Sequence, residues 1–111
     1  EPKLAGIALG AKGVVLAESF YAPTWLRMCH AAKVDNWVAA RAEQKWKHDV
    51  MGVFAAYPSA ERVVYRKLIG VDMGPPRLPQ MPFPEAQYDS LIAELDSFGF
   101  FNQTVPTPCK L

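Results

Sequence analysis

Apolar residues recur along this chain at helical intervals in several stretches, separated by glycine and proline punctuation. Leu4 to Leu9 reads as a helix end closing at Gly10, and the short apolar run from Gly13 to Ala17 has the length and flanks of a buried strand. Pro23 and Thr24 mark the next helix start, with Trp25, Leu26, Cys29 and Ala32 at helical spacing. Asp35 is a suitable N-cap for a long helix through about Ala56. Its inner stripe would be Ala39, Ala42, Trp46, Val50, Val53 and Phe54, with Arg41, Lys45, Lys47 and Asp49 facing solvent. Ser59 would cap a third helix that carries Val64 and Leu68 inward and stops at Gly70. The last helix begins at Pro84 and Glu85, buries Tyr88, Leu91, Ile92, Leu95 and Phe98, and ends at Gly99. From Asn102 onward two prolines and no periodicity predict an extended tail.

Composition narrows the class. The chain has 111 residues, half of them apolar, which suits one modest core. A net charge of +1 with mixed signs and no basic run excludes nucleic acid and anionic membrane surfaces as expected partners. No apolar run approaches the ~18 residues of a membrane span, and no signal-peptide pattern opens the chain. The first residue is Glu1 and not methionine, which points to a processed or partly observed polypeptide.

Metal and nucleophile chemistry find little footing. Cys29 and Cys109 have no paired spacing and no clustered histidines, so neither a zinc site nor a disulfide framework is expected. His30 and His48 fall on separate predicted helices. Cys29 and His30 are adjacent on a helix and therefore point about 100° apart, which rules out a nucleophile and base pair. Trp25, Trp37 and Trp46 read as packing or interface anchors in the absence of a basic groove. No cofactor and no metal are expected.

The most distinctive run is Gly70-Val71-Asp72-Met73-Gly74-Pro75-Pro76-Arg77-Leu78-Pro79. Two consecutive prolines remove two backbone donors and hold φ near −65°, while Gly70 and Gly74 permit positive φ, so a rigid corner ends a helix here. Arg77 would then reach a carboxylate or a row of helix C-terminal carbonyls as a structural clamp. The run resembles the segment G-x-x-M-G-P-P-R-L-P of N-acetylneuraminate lyases, in the pyruvate-dependent aldolase family that includes dihydrodipicolinate synthases. Leu9-Gly10-Ala11-Lys12-Gly13 is similar to that family's L-G-A-x-G before its eighth barrel strand.

The resemblance implies a mostly α fold: the last strand and helix of a (β/α)8 barrel in residues 1–33, a three-helix C-terminal extension in 34–101, and the tail in 102–111. A complete barrel takes about 250 residues, so this chain is not one. In the family a strand-six lysine forms a Schiff base with pyruvate, a strand-four tyrosine relays protons, and a Gly-rich loop binds the carboxylate, all upstream of Glu1. The lysines of this chain fall on turns and polar helix faces, where they stay protonated. The resemblance carries three substrate-site positions over: Glu1 on an acidic residue that binds sugar hydroxyls, Ala17 on a serine that faces the substrate, and Ser19 on that serine if a one-residue gap is allowed. Gly70, Gly74, Pro75, Pro76, Arg77 and Pro79 are carried over as structural.

These readings lead to a lyase-like C-terminal fragment without catalysis of its own, acting as an accessory subunit beside other protein chains that supply the missing strands. The alternative is the C-terminal part of an active aldolase whose barrel lies upstream. Cys109-Lys110-Leu111 is a close variant of the peroxisomal Ser-Lys-Leu address, with cytoplasmic or mitochondrial residence as the alternatives.

Overall fold

The computed structural model describes residues 3–13, 15 and 19–103. It is mostly helical, as the periodicity predicts. In order come α1 (Lys3–Ala8), a 3-10 turn at Ser19–Tyr21, α2 (Ala22–Lys33), α3 (Trp37–Ala56), α4 (Ala60–Ile69), a 3-10 turn at Glu85–Gln87, α5 (Tyr88–Ser97) and α6 (Phe100–Gln103). Among the described residues there is no strand. The strand expected at 14–17 falls outside them apart from Val15, which is in no strand and is 94% exposed.

The chain divides into two compact units, one of residues up to His48 with Gln103 and one of Asp49–Asn102. The first unit takes α1, α2 and the first three turns of α3. Gly10 closes α1 with φ +88, its N–H donating to the Ile7 carbonyl while Ala11 N–H reaches back to Gly6, the paired bonds of a Schellman motif. The same motif ends α2. Asn36 N–H donates to Ala31 O and Asp35 N–H to Ala32 O, with Asp35 at φ +55 in the position glycine usually takes. Asp35 is therefore not the cap of α3. Asn36 is, its Oδ1 accepting the Ala39 N–H at 3.1 Å and satisfying an orphan donor of the first turn.

The buried faces match the predicted stripes at Ala32, Val50, Val53 and Phe54 and differ from them by a step around the helix elsewhere. On α2 the inner residues are Thr24, Met28, Ala31 and Ala32, while Leu26 is 61% exposed. Met28, Ala31 and Ala40 form the centre of this unit's core, with Leu4, Ile7, Trp25 and Ala39 packed around it. On α3 Ala40 is buried and Ala42 is exposed. Lys47, expected in solvent, is only 3% exposed because it lies on the same helical row as Ala40, Val50 and Phe54.

The second unit packs Val50, Val53 and Phe54 with Ala60, Val63 and Val64 of α4, Leu91 and Leu95 of α5 and Phe100 of α6 as its buried residues. Phe54 and Phe100 meet edge to face at 5.8 Å. α4 begins after Ser59, as expected, but Ser59 makes no side-chain cap. Its backbone is left-handed at φ +59, and its hydroxyl donates to Met81 O at 2.7 Å. Gly70 ends α4 at φ +70, its N–H donating to Arg66 O.

Candidate functional site

Of the residues carried over to a substrate site, Glu1 and Ala17 lie outside the described residues, and Ser19 is exposed at the start of the 3-10 turn before α2.

The first unit instead gathers polar groups where α2 faces α3. Arg27 donates from Nε to Glu43 Oε1 at 2.9 Å and from Nη2 to Thr24 Oγ1 at 3.1 Å and Gln103 Oε1 at 2.9 Å. One planar fork thus holds three acceptors on separate parts of the chain. Glu43 Oε2 is buried with no hydrogen-bond partner among the described residues. One turn on from Glu43, the Lys47 ammonium sits 4.9 Å from the centre of the Tyr21 ring, within cation–π range. Lys47 is the buried cation among the described residues, and the expectation that every lysine here is solvated is corrected by it. A sequence signal existed: Ala40, Glu43, Lys47, Val50 and Phe54 follow a 3-4-3-4 spacing, so two charged residues lie on a row that is otherwise apolar.

Cys29 on α2 is half-buried, and burial pushes its thiol above the usual cysteine range, partly offset by the Lys33 charge. His30 and His48 are exposed on different helices, and among the described residues no group of three or more histidine, cysteine or acidic side chains could hold a metal ion.

The second unit holds a groove of about 200 Å3 between α4 and the segment that follows it. Ser59, Arg62, Val63 and Arg66 form the helix wall, and Asp72, Gly74, Pro75 and Pro76 the facing wall. Pro82, Phe83 and Glu85 complete the lining. The distinctive glycine and proline run thus contributes one side of a cleft. Asp72 accepts the Gly74 N–H at 2.8 Å in an Asx turn, and Gly74 takes φ +68. Arg62 Nη1 donates to the Met73 and Gly74 carbonyls, each at 3.2 Å. Arg66 Nη2 meets Glu85 Oε1 and Oε2 at 3.4 and 3.3 Å, and its guanidinium lies 6.0 Å from the Tyr88 ring.

Arg77 does not make the clamp assigned to it. It is exposed and its side chain has no partner among the described residues; Arg62 braces the corner from the helix side. Pro79, after a cis Leu78–Pro79 peptide, is also exposed and is not among the residues lining this groove.

In the turn between α3 and α4, Tyr57 donates to Glu94 Oε2 on α5 at 3.0 Å. That hydrogen bond, with smaller contributions from burial and the Glu94 charge, raises the Tyr57 pKa above the ordinary tyrosine value. Among the described residues no helix is long and apolar enough to cross a membrane.

No family model matches the chain, and no curated protein or solved structure matches it either.

Proposed function

We propose that this chain is a non-catalytic helical element of a lyase-like assembly, in which the segment around residues 9–18 is completed by strands from elsewhere. One observation carries the reading. Leu9 and Val15 are 89% and 94% exposed in the segment that the resemblance assigns to a barrel strand and its approach. Covering such side chains contributes about 1.5–3 kcal/mol each, so the segment favours a protein surface over water. A partner sheet would also take up backbone donors and acceptors that a lone strand leaves open. The accessory role fits the run from Gly70 to Pro79, which here directs the chain out of α4.

The test has two parts. Hydrogen exchange on the isolated chain should show fast amides at 13–17; slow exchange there in a monomer would sink the proposal. Incubation with pyruvate and borohydride should leave the mass unchanged. A reduced pyruvate adduct on Lys47, the lysine whose burial could desolvate its amine, would replace the accessory reading with a catalytic one.

A further inference from the structure

We propose that the groove between α4 and the Asp72–Pro76 segment binds a small organic carboxylate with an apolar body, a proposal that stands apart from the accessory role. A carboxylate already occupies the position such a ligand would take. Glu85 reaches across to Arg66, but its two contacts are long, at 3.3 and 3.4 Å, and its side chain is 68% exposed. A pair of that length and exposure is a weak competitor, worth only a few-fold in an equilibrium.

The helix wall is built for an incoming anion. Arg62 and Arg66 lie one turn apart on one face of α4, so their guanidinium groups line the same groove. Arg62 is held in place through Nη1 by two backbone carbonyls, which leaves Nε and Nη2 without a partner among the described residues. Its planar fork is thereby oriented before a ligand arrives, and orientation is what limits long cationic side chains as binders. The one other acid on the lining, Asp72, is engaged by the Gly74 amide at the far wall.

The remaining surface selects the ligand's body. Val63 is buried beneath the groove, and Pro75, Pro76 and Phe83 present rings without hydrogen-bond donors. An anion that is polar all round, such as inorganic phosphate, gains nothing from those walls. A carboxylate with an alkyl or aryl body gains from both the arginines and the apolar lining, as ligand sites generally combine a few polar groups with apolar walls.

The experiment is a titration of the full chain with hexanoate followed by amide chemical shifts, with hexanol and inorganic phosphate as controls. Saturable shifts at residues 59–66, 72–76 and 82–85 are expected, with a Kd on the order of millimolar for so small a ligand. Glu85→Gln removes the internal competitor and should tighten binding about two- to fivefold. Arg66→Gln should abolish saturation up to about 50 mM while the spectrum stays dispersed. No saturable shifts at the groove with hexanoate, equal binding of hexanol or phosphate, or unchanged affinity in Glu85→Gln would each overturn the proposal. Because Glu85→Gln should raise affinity, a folding defect cannot imitate the expected result.

Discussion

Removing the Arg62 guanidinium should loosen the corner after α4, and removing that of Arg77 should not. Arg62 Nη1 donates to the Met73 and Gly74 carbonyls at 3.2 Å each, a charge-assisted pair of contacts shared by one nitrogen. A hydrogen bond to a charged group is worth roughly 1.5–3 kcal/mol when both ends are buried. Here Arg62 is half-buried and Met73 is exposed, so the freed carbonyls regain water and the cost shrinks to about 1 kcal/mol. Arg62→Ala should therefore lower the urea midpoint by about 0.5–1 M, and the melting temperature by about 4 °C. Arg62→Lys should recover less than half, since an ammonium lacks the fork's fixed geometry. Arg77→Ala should stay within about 0.5 kcal/mol of the parent, as exposed substitutions do. Urea melts followed by far-UV circular dichroism give both numbers, and the exchange rate of the Gly74 amide reports the corner directly. Equal losses in the two alanine variants, or a larger loss for Arg77→Ala, would refute the assignment of the brace to Arg62.

Four other outcomes are expected. Asp35→Gly should stabilise by about 0.5–1 kcal/mol, because φ +55 strains a side chain, while Asn36→Ala should cost about 1 kcal/mol through loss of the cap; thermal melts of both separate the two roles. Gly52 lies inside α3 with open space where a Cβ would stand, so Gly52→Ala should stabilise by about 0.5–1 kcal/mol in the same assay. Met28→Ala should cost about 2–4 kcal/mol and Leu26→Ala under about 0.5, a contrast that chemical denaturation reads and that would reverse if the sequence-predicted stripe were the buried one. Tyr57 has its pKa raised in the folded chain, so the Tyr57 to Glu94 hydrogen bond contributes stability below about pH 10 and loses it as pH rises through the raised value. The stability gap between the parent and Tyr57→Phe should close in strongly alkaline buffer, and ultraviolet titration should show Tyr57 titrating late, with a downward shift in Glu94→Gln.

What was legible in the sequence was the set of signals whose meaning is confined to the backbone. Gly10, Gly70 and Gly99 sit past helix ends at positive φ, and Pro23 lies in the first turn of α2, because those residues carry the same conformational preference in any surroundings. The helix faces were harder. α3 has alanines at 39, 40 and 42, so two adjacent stripes are nearly equal in apolar content, and the choice between them depends on what α1 and α2 bring to meet it. Lys47 settled on the inner row because the aromatic ring of Tyr21 lies over it, a partner 26 positions away that no local pattern reveals. Asp35 and Asn36 are both competent caps, and only the path of the chain decides that the first takes the left-handed residue and the second the cap. Arg62 and Arg66 read as the solvent face of an amphipathic helix until the strap of residues 72–76 is placed opposite them across the groove.

That strap also separates two kinds of meaning in the run from Gly70 to Pro79. Gly70 and Gly74 are required by φ +70 and +68, and Pro75 and Pro76 stiffen the corner between them and Arg77. Every one of these demands is set by the chain's path, so a resemblance resting on those residues speaks to the path first. Chemistry resides in the side chains that the path brings opposite: Arg62, Arg66, Phe83 and Glu85, none of which belongs to the run. A chain can therefore keep the corner while its groove changes ligand, or lose its ligand altogether while the corner survives for packing. The two cases differ in how Glu85 behaves. Where the groove serves only packing, Glu85→Gln removes an exposed, long ion pair and changes little. Where it binds, the same substitution uncovers Arg66, and the vacated guanidinium becomes available to a carboxylate from solution.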